Sequence, residues 1–238
     1  MEKIEGIVLK QINYKENSKI IYLYTPQGKV SVLVHGSNKV KSPYLNLVRL
    51  FSHVSLVVSG KSLKTIRDGN VISYFDELSN DLTKYTYSLH LMELIYYFSD
   101  HDHDHEKLFR FLLKIFHQMI LSKDVSVYVM MVELKLLYLL GVQPLMKHCV
   151  YCQSQEGLQF SVAEGGMVCV KHHKVSQFHS STIQLMQQLY YYDLDHPKPF
   201  VVEDKSKVEL RQLIDDYYAF HLNYKGKSRK MLKEIIGY

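Results

Sequence analysis

Hydrophobic and polar residues alternate in the first third of the chain with the two-residue period of β-strands. The clearest example is residues 30–35, where three valines alternate with other side chains. Pro26 and Gly28, just before this stretch, occupy the second and fourth positions of a tight turn. The same signals predict five strands, at residues 4–10, 19–24, 30–34, 54–59 and 63–72. Short strands joined by tight turns, with one longer connection, are typical of a small closed barrel: an OB-fold or, almost equally well, an SH3-like barrel.

After about residue 79 the apolar residues repeat at three- and four-residue intervals, which is the period of an α-helix. This pattern predicts four helices, at residues 82–98, 108–119, 127–140 and 206–222. The third is apolar on nearly every side, so we expect it to be buried. The last is expected to open with a capping box, because Ser206 and Glu209 have the required spacing.

All three cysteines fall within one short stretch. Cys149 and Cys152 form one pair with two residues between them, and Cys169 and His172 form a second pair with the same spacing. Two intervening residues let a single turn present both ligands to a tetrahedral ion. The connection between the pairs is expected to fold back as a hairpin that turns at Gly165 and Gly166. The spacing therefore predicts one bound zinc ion.

The fourth ligand is left open, since His173 could replace His172 and His148 is a weaker substitute. Three thiolates and one imidazole fill the tetrahedron and leave no position for a reactive water, which favours a structural over a catalytic zinc. The His-x-Glu sequence of the zinc deaminases is absent. So are a glycine-rich phosphate loop, a dinucleotide fingerprint and a supported Ser-His-Asp arrangement. The protein is therefore not expected to be an enzyme.

These patterns predict an α+β, multidomain chain. Residues 1–78 would form a β-barrel, either an OB-fold or an SH3-like barrel, and residues 79–238 an all-α domain within which the zinc-binding segment lies at about 147–174.

A histidine-rich segment lies between the first and second predicted helices. His101, His103 and His105 alternate with Asp102 and Asp104, and in an extended loop the histidines could chelate a transition metal. A solvated loop between helices has the same composition, and we favour that interpretation.

The composition excludes several classes of protein. The chain has 238 residues, of which 47% are hydrophobic and 22% charged, with 11 Gly and 5 Pro, unlike collagenous or disordered sequences. No apolar run approaches the roughly 18 residues that span a bilayer, so no membrane association is expected. The first residues do not resemble a secretory signal, and an odd, small number of cysteines favours a reducing cytoplasm.

The net charge of +5 hides an uneven distribution. Between Lys10 and Arg67 there are ten basic residues and a single acidic one, Glu16. Such an excess over most of a small domain indicates a binding surface for a polyanion. A second basic cluster closes the chain: Lys225, Lys227, Arg229, Lys230 and Lys233.

Lys39 and Lys41 lie in the one long connection of the predicted barrel and are the first candidates for contacts to phosphate. Ser37, Asn38 and Ser42 are candidate additional donors. Further candidate DNA contacts are Lys10, Lys15, Lys19 and Arg49. Candidate rings for base stacking, of which about half should point into the core, are Tyr14, Tyr22, Tyr24 and Tyr44.

An ordered set of segments resembles the bacterial recombination mediator family RecO. These are EGIVLK at 5–10, YKENSK at 14–19, TPQGK at 25–29, GSNKVKS at 36–42, LMEL at 91–94, GVQPL at 141–145, CVYC at 149–152 and KSRKML at 227–232. The chain departs from the family at His172, where zinc-containing relatives usually have a fourth cysteine.

The resemblance implies a cytoplasmic, nucleoid-associated and non-catalytic protein with an OB-fold and a zinc finger in a helical domain. It implies binding to single- and double-stranded DNA without strong sequence preference, and annealing of complementary strands. The implied partners are RecR and the acidic C-terminal tail of single-stranded DNA-binding protein. With them the protein would help to load the RecA recombinase onto coated DNA.

Two alternatives remain open. A zinc-containing adaptor would act mainly through protein partners, and the basic cluster around Lys227 and Arg229 could then bind an acidic tail. An RNA-binding protein is also compatible, because an OB-fold does not by itself distinguish DNA from RNA.

Overall fold

The structure is a computed structural model that describes residues 1–101, 104–172, 178–197 and 202–237. It contains two compact units, Met1–Val125 and Ser126–Tyr238. In the part of the chain described, no helix is both long enough and apolar enough to span a membrane.

The first unit begins with a closed five-stranded barrel. Its strands are β1 (Glu2–Tyr14), β2 (Ser18–Thr25), β3 (Gly28–Val34), β4 (His53–Ser59) and β5 (Lys64–Ser73). They close in the order β1-β2-β3-β5-β4, with β3 and β5 parallel and the other pairs antiparallel. This arrangement confirms the predicted OB-like barrel.

Alternating apolar residues of the strands fill the barrel. Val54, Leu56 and Val58 of β4 are fully buried there, as the period-two pattern predicts. Gly69 on β5 leaves room for this packing, because a Cβ atom at that position would lie 2.6 Å from Leu56 Cδ2. A side chain at residue 69 would therefore displace part of the core.

Two helices, α1 (Leu82–Phe98) and α2 (His105–Leu121), pack against the outside of the barrel. Asp81 and Asp104 cap them, accepting hydrogen bonds from Lys84 N at 2.7 Å and Lys107 N at 2.9 Å. The ring of His53 on β4 packs 5.7 Å from that of Phe109 on α2.

This packing explains why the first unit extends to Val125 rather than ending with the barrel. The division at residues 78 and 79 follows the change from strands to helices and stays a prediction about domain organisation.

The described residues of the second unit form four helices and a short hairpin. These are α3 (Ser126–Leu139), β6 (Leu158–Ser161), β7 (Gly166–Cys169), α4 (Ser180–Tyr191), α5 (Asp204–Leu222) and α6 (Lys227–Ile236). Helix α3 is buried along most of its length, as expected from its apolar sequence. Helices α4 and α6 were not among the predicted elements.

The predicted capping box is wrong. Helix α5 begins at Asp204, two residues before Ser206, whose hydroxyl donates instead to Ser181 Oγ at 2.9 Å. Glu209 accepts hydrogen bonds from His179 N at 2.9 Å and from the Thr182 hydroxyl. Helices α4 and α5 pack together, so side chains of α5 lie close to the first backbone N–H groups of α4. Ser206 and Glu209 therefore stabilise the start of α4, where these N–H groups have no partner within the helix.

A buried ion cluster, formed by Glu133, Arg211, Asp215 and Arg229, joins α3, α5 and α6. Arg211 Nη2 donates to Glu133 Oε1 and to Asp215 Oδ1, both at 2.8 Å. Arg229 Nη1 lies 3.0 Å from Asp215 Oδ1, and Arg229 Nη2 lies 3.5 Å from Glu133 Oε1. Two guanidinium and two carboxylate groups balance in charge, which makes their burial tolerable.

Candidate metal centre and nucleic-acid interface

Two backbone turns bring the predicted zinc ligands together. The first runs from Cys149 to Cys152 and is closed by a hydrogen bond from Gln153 N to Cys149 O at 3.1 Å. The second follows β7, where His172 N donates to Cys169 O at 2.9 Å. The hairpin β6–β7 places one turn against the other. We call this hairpin together with the two turns the ribbon.

The four donor atoms of Cys149, Cys152, Cys169 and His172 all lie within 4.8 Å of one another. The Sγ atoms of Cys152 and Cys169 are 3.6 Å apart. His172 Nδ1 lies 3.3 Å from Cys169 Sγ and 3.6 Å from Cys149 Sγ. Bond lengths of about 2.3 Å to sulfur and about 2.0 Å to nitrogen place tetrahedral donors roughly 3.5–3.8 Å apart. The cluster therefore fits a zinc ion in both donor type and spacing.

The three thiols differ in pKa, and therefore in how readily they lose the proton that a metal ion displaces. Burial raises the pKa of Cys149, but backbone N–H groups that donate to its sulfur outweigh burial and lower that pKa to about 6. Burial also raises the pKa of Cys169, whereas His172 lowers it and the net direction is down. The Ser154 amide lowers the pKa of Cys152, but burial and the neighbouring thiols leave it raised.

His172, the candidate fourth ligand, packs against an aromatic neighbour. The ring of Tyr151 packs 5.2 Å from that of His172, and the Tyr151 hydroxyl donates to a carboxylate oxygen of Glu164. The weaker candidate His148 is not part of the cluster among the described residues, and its buried Nδ1 has no hydrogen-bond partner there. The other alternative, His173, lies outside the described residues.

The ribbon is anchored to the second unit through its turn. Leu145 N donates to Gly165 O at 3.0 Å and Met167 N donates to Leu145 O at 2.8 Å, which adds a short parallel bridge beside β7. No side chain would fit at Gly166, because a Cβ atom there would lie 2.5 Å from Leu145 O. From α5, His221 Nε2 donates to Val162 O at 2.6 Å.

The segment His101–His105 lies partly outside the described residues, since residues 102 and 103 are not included. Asp104 caps α2 and His105 opens it, with its Nδ1 3.1 Å from the Tyr24 hydroxyl. Chelation of a metal by these histidines stays an untested prediction.

Three loops of the barrel carry lysines. Asn38 N donates to Asn17 O at 3.3 Å and so ties the β3–β4 connection to the β1–β2 loop. The third, the β4–β5 turn, lies beside the first residues of β1, because Val58 at the end of β4 pairs with Glu2. The lysines of these three loops form what we call the lysine rim: Lys15, Lys19, Lys39, Lys41 and Lys61.

The lysine rim keeps its charges available. Lys39, Lys41 and Lys61 are exposed, and within the described part of the chain no rim lysine forms an ion pair. Lys19 Nζ donates to the neutral Gln11 Oε1 at 2.5 Å. Lys15 Nζ lies 5.5 Å from the centroid of the Tyr14 ring. The positive charges of these loops have no carboxylate partners among the described residues, which suits them to phosphate groups.

Two predicted DNA contacts lie away from this rim. Lys10 Nζ lies over the ring of Tyr96 on α1, 4.7 Å from its centroid. Arg49 Nη2 forms an ion pair with Asp76 Oδ1 at 2.5 Å, and its guanidinium lies 5.7 Å from the ring centroid of Tyr74. Both cations have partners within the first unit.

Lys61 belongs to the rim although it was not singled out as a contact. In the sequence, Lys61 lies in the short connection between the strands predicted at residues 54–59 and 63–72. Its position relative to β3 depends on the parallel pairing of β3 with β5, and no local pattern in the sequence predicts that pairing.

The three predicted additional donors differ in their availability. The hydroxyl of buried Ser37 donates to Val34 O at 3.0 Å and is used by the protein. Ser42 Oγ accepts from Tyr44 N at 3.2 Å and keeps its own proton to donate. Asn38 Nδ2 donates one proton to Asn13 Oδ1 at 3.4 Å. Contacts of Asn38 and Ser42 to phosphate stay a prediction.

The C-terminal basic cluster is likewise less available than its sequence indicates. Arg229 is 6% exposed and belongs to the ion cluster, where its guanidinium also lies 4.6 Å from the ring centroid of Tyr218. An acidic tail could not reach this side chain without opening α6.

Comparison with known proteins identifies relatives over nearly the whole chain. The family model described as Recombination protein O N terminal matches residues 1–75, and the one described as Recombination protein O C terminal matches residues 79–230. A protein of Bacillus cereus (strain AH187) named DNA repair protein RecO is 28% identical over 241 residues, covering 98% of this chain and 97% of its own length. Proteins of the same name from Bacillus anthracis and Bacillus cytotoxicus show the same identity and coverage.

Proposed function

Because the chain belongs to the RecO family of DNA repair and recombination proteins, we propose that it is a recombination mediator that binds single- and double-stranded DNA through the lysine rim. It anneals complementary strands and helps to load the RecA recombinase onto DNA coated by single-stranded DNA-binding protein. The observation that carries this proposal is the set of five lysines on loops of an OB-like barrel that have no acidic partner within the described part of the chain.

The rim supplies electrostatics rather than covalent chemistry. Its lysines replace the cations that surround the DNA backbone, and the release of those cations favours binding. Contacts to phosphate carry no sequence information, so little sequence preference is expected. Neutralisation of phosphates also reduces the repulsion between two complementary strands, which is what annealing requires. No catalytic group is needed for these steps, and the protein is not proposed to be an enzyme.

The donor set Cys149, Cys152, Cys169 and His172 would hold one structural zinc ion. When bound, the ion supplies a tetrahedral cross-link between the two turns of the ribbon. The chain's own hydrogen bonds from Leu145 and His221 hold the ribbon in place. The ribbon is therefore proposed to stabilise the second unit rather than to bind the strand.

The proposed protein partners are RecR and the acidic C-terminal tail of single-stranded DNA-binding protein, with RecA as an indirect partner. The proposed location is the cytoplasm, in association with the nucleoid.

The proposal is tested by annealing fluorescent complementary strands that are first coated with single-stranded DNA-binding protein. We expect annealing by the wild-type protein, and loss of most of that activity in Lys39→Ala/Lys41→Ala. The matched control is Lys123→Ala/Lys205→Ala, which removes the same charge from exposed positions outside the rim. Equal annealing by both double variants would disprove a role for the rim.

A further inference from the structure

Single-strand binders of the OB type commonly combine a basic groove with aromatic rings on which successive bases stack. The lysine rim provides the first part, so the position of the rings decides whether bases are bound as well. Four tyrosines of the barrel were candidates from the sequence, and the structure assigns most of them to packing within the protein.

Tyr24 and Tyr44 pack against other groups of the first unit. Tyr24 is fully buried and its hydroxyl lies 3.1 Å from Nδ1 of His105. Tyr44 is half-buried against the barrel core, and its hydroxyl lies 3.5 Å from Arg67 O. Both rings therefore belong to the framework of the first unit.

Tyr22 also packs within the protein. Its ring meets that of Tyr96 edge to face, with 5.2 Å between centroids and an interplanar angle of 87°. This contact lies beside α1, on the side of the barrel where Lys10 covers Tyr96, and not at the rim.

The two exposed rings at the rim, Tyr14 and His35, each have a neighbour. Tyr14, at the end of β1, is 36% exposed and lies under the ammonium group of Lys15. The Nδ1 atom of His35 lies 3.4 Å from Ser18 Oγ. The exposed apolar side chains of the three loops are aliphatic and offer no ring face: Val40, Leu45 and Leu63.

Few neutral groups of the rim could read a base edge. The Ser37 hydroxyl is buried and donates to Val34 O, while Asn38 and Ser42 each have one hydrogen bond within the loops and could donate one more. What the described rim offers a nucleic acid is therefore mainly ammonium groups, which select phosphate.

We propose that the lysine rim binds the sugar–phosphate backbone alone and leaves the bases uncovered. This inference rests on the proposed function and names the part of the strand that the same site recognises. A strand held in this way keeps its Watson–Crick edges available, so a second strand can pair with it before the protein dissociates. The absence of base contacts thus suits annealing better than storage of single strands.

The experiment compares the full-length protein's affinity for oligothymidylate with its affinity for a strand of equal length in which every base is missing. We expect the two affinities to agree within about threefold, since both strands present the same phosphates. Each stacked base would contribute roughly fivefold or more. A loss of more than about tenfold on the abasic strand would overturn the inference while leaving DNA binding itself intact. Binding to neither strand would instead overturn the proposed function, and the inference with it.

A second measurement uses the rings that keep some exposure. Tyr14→Ala/His35→Ala is expected to bind oligothymidylate within about twofold of the wild type, and bound thymines are expected to react with permanganate as fast as free ones. Lys39→Ala/Lys41→Ala serves as the positive control for a weakened site. Protection of the thymines, or a tenfold loss in the ring variant with unchanged circular dichroism, would show that bases are bound.

Discussion

The two basic clusters of this chain look alike in the sequence and have opposite surroundings in the structure. In the barrel, Lys39, Lys41 and Lys61 lie on loops with no acidic partner among the described residues. Near the C-terminus, Arg229 is buried with Glu133 and Asp215. The difference shows that the carboxylates brought near by the fold, and not the number of cations, decide how much of a cluster's charge is left for a ligand.

The roles of the ribbon and the lysine rim can be tested separately by removing a zinc ligand. Cys149→Ser is expected to reduce bound zinc from one ion per chain to none, because three remaining donors no longer close the tetrahedron. Metal analysis of the purified protein measures this. The affinity of the rim for single-stranded DNA should stay within about twofold of the wild type. Zinc retained by a Cys149→Ser/Cys152→Ser variant would contradict the ligand assignment.

Acidification should release the same metal without a mutation. A bound zinc ion requires deprotonated thiols, so its affinity falls as the pH falls. In the metal-free site the pKa of Cys152 is raised and that of Cys149 is lowered to about 6, so Cys152 is the thiol for which protons compete most strongly with the metal. Titration of the cobalt-substituted protein should show loss of its tetrahedral absorption bands as the pH is lowered from neutral. Bands that strengthen on acidification would contradict the thiolate assignment.

The largest expected change in stability comes from the ion cluster. Glu133→Gln leaves Arg211 and Arg229 buried with one carboxylate fewer, which should lower the free energy of unfolding by about 3–5 kcal/mol. Urea denaturation measures it. Glu234→Gln is the matched control, since its exposed pair with Lys230 should contribute about 0–1 kcal/mol. Equal effects of the two substitutions would show that the cluster does not stabilise the unit.

The local patterns of the sequence were sufficient for the barrel and for the metal ligands. Alternation marks β3 and β4 because each strand has one face in the core, and the spacing of Cys149 and Cys152 suffices because one turn presents both ligands. The burial of Arg229 could not be predicted in this way. Its partners come from other helices, just as Arg211 and Glu133 meet although 78 positions separate them in the sequence.

The candidate DNA contacts show the same limit. Lys15, Lys19 and Lys39 meet because the pairing of β2 with β3 and a hydrogen bond from Asn38 bring their loops together. Arg49 has the same charge but lies beside Asp76, and the sequence alone does not reveal that pair.

The rim itself is tested by its salt dependence. If about five phosphates are neutralised, the slope of log affinity against log salt on single strands should be roughly −3.5. Lys39→Ala/Lys41→Ala should weaken binding by about tenfold near 0.1 M salt and make the slope less steep by roughly 1.4. Fluorescence anisotropy over a range of salt concentrations measures both quantities. A wild-type slope near zero would exclude the rim as a phosphate-binding surface.

The smallest expected effect defines the edge of the rim. Arg49→Gln breaks an exposed pair with Asp76, which contributes about 0–1 kcal/mol to stability, and should change DNA affinity by less than about twofold. Lys61→Ala removes a single charge as well, but from the rim, so its salt slope should be less steep by roughly 0.7. The two single variants are matched in charge and differ in whether a carboxylate accompanies the cation. If Arg49→Gln proved the more damaging, the binding surface would have to extend past the rim towards Asp76, and ion pairing in the free protein would no longer separate binding residues from structural ones.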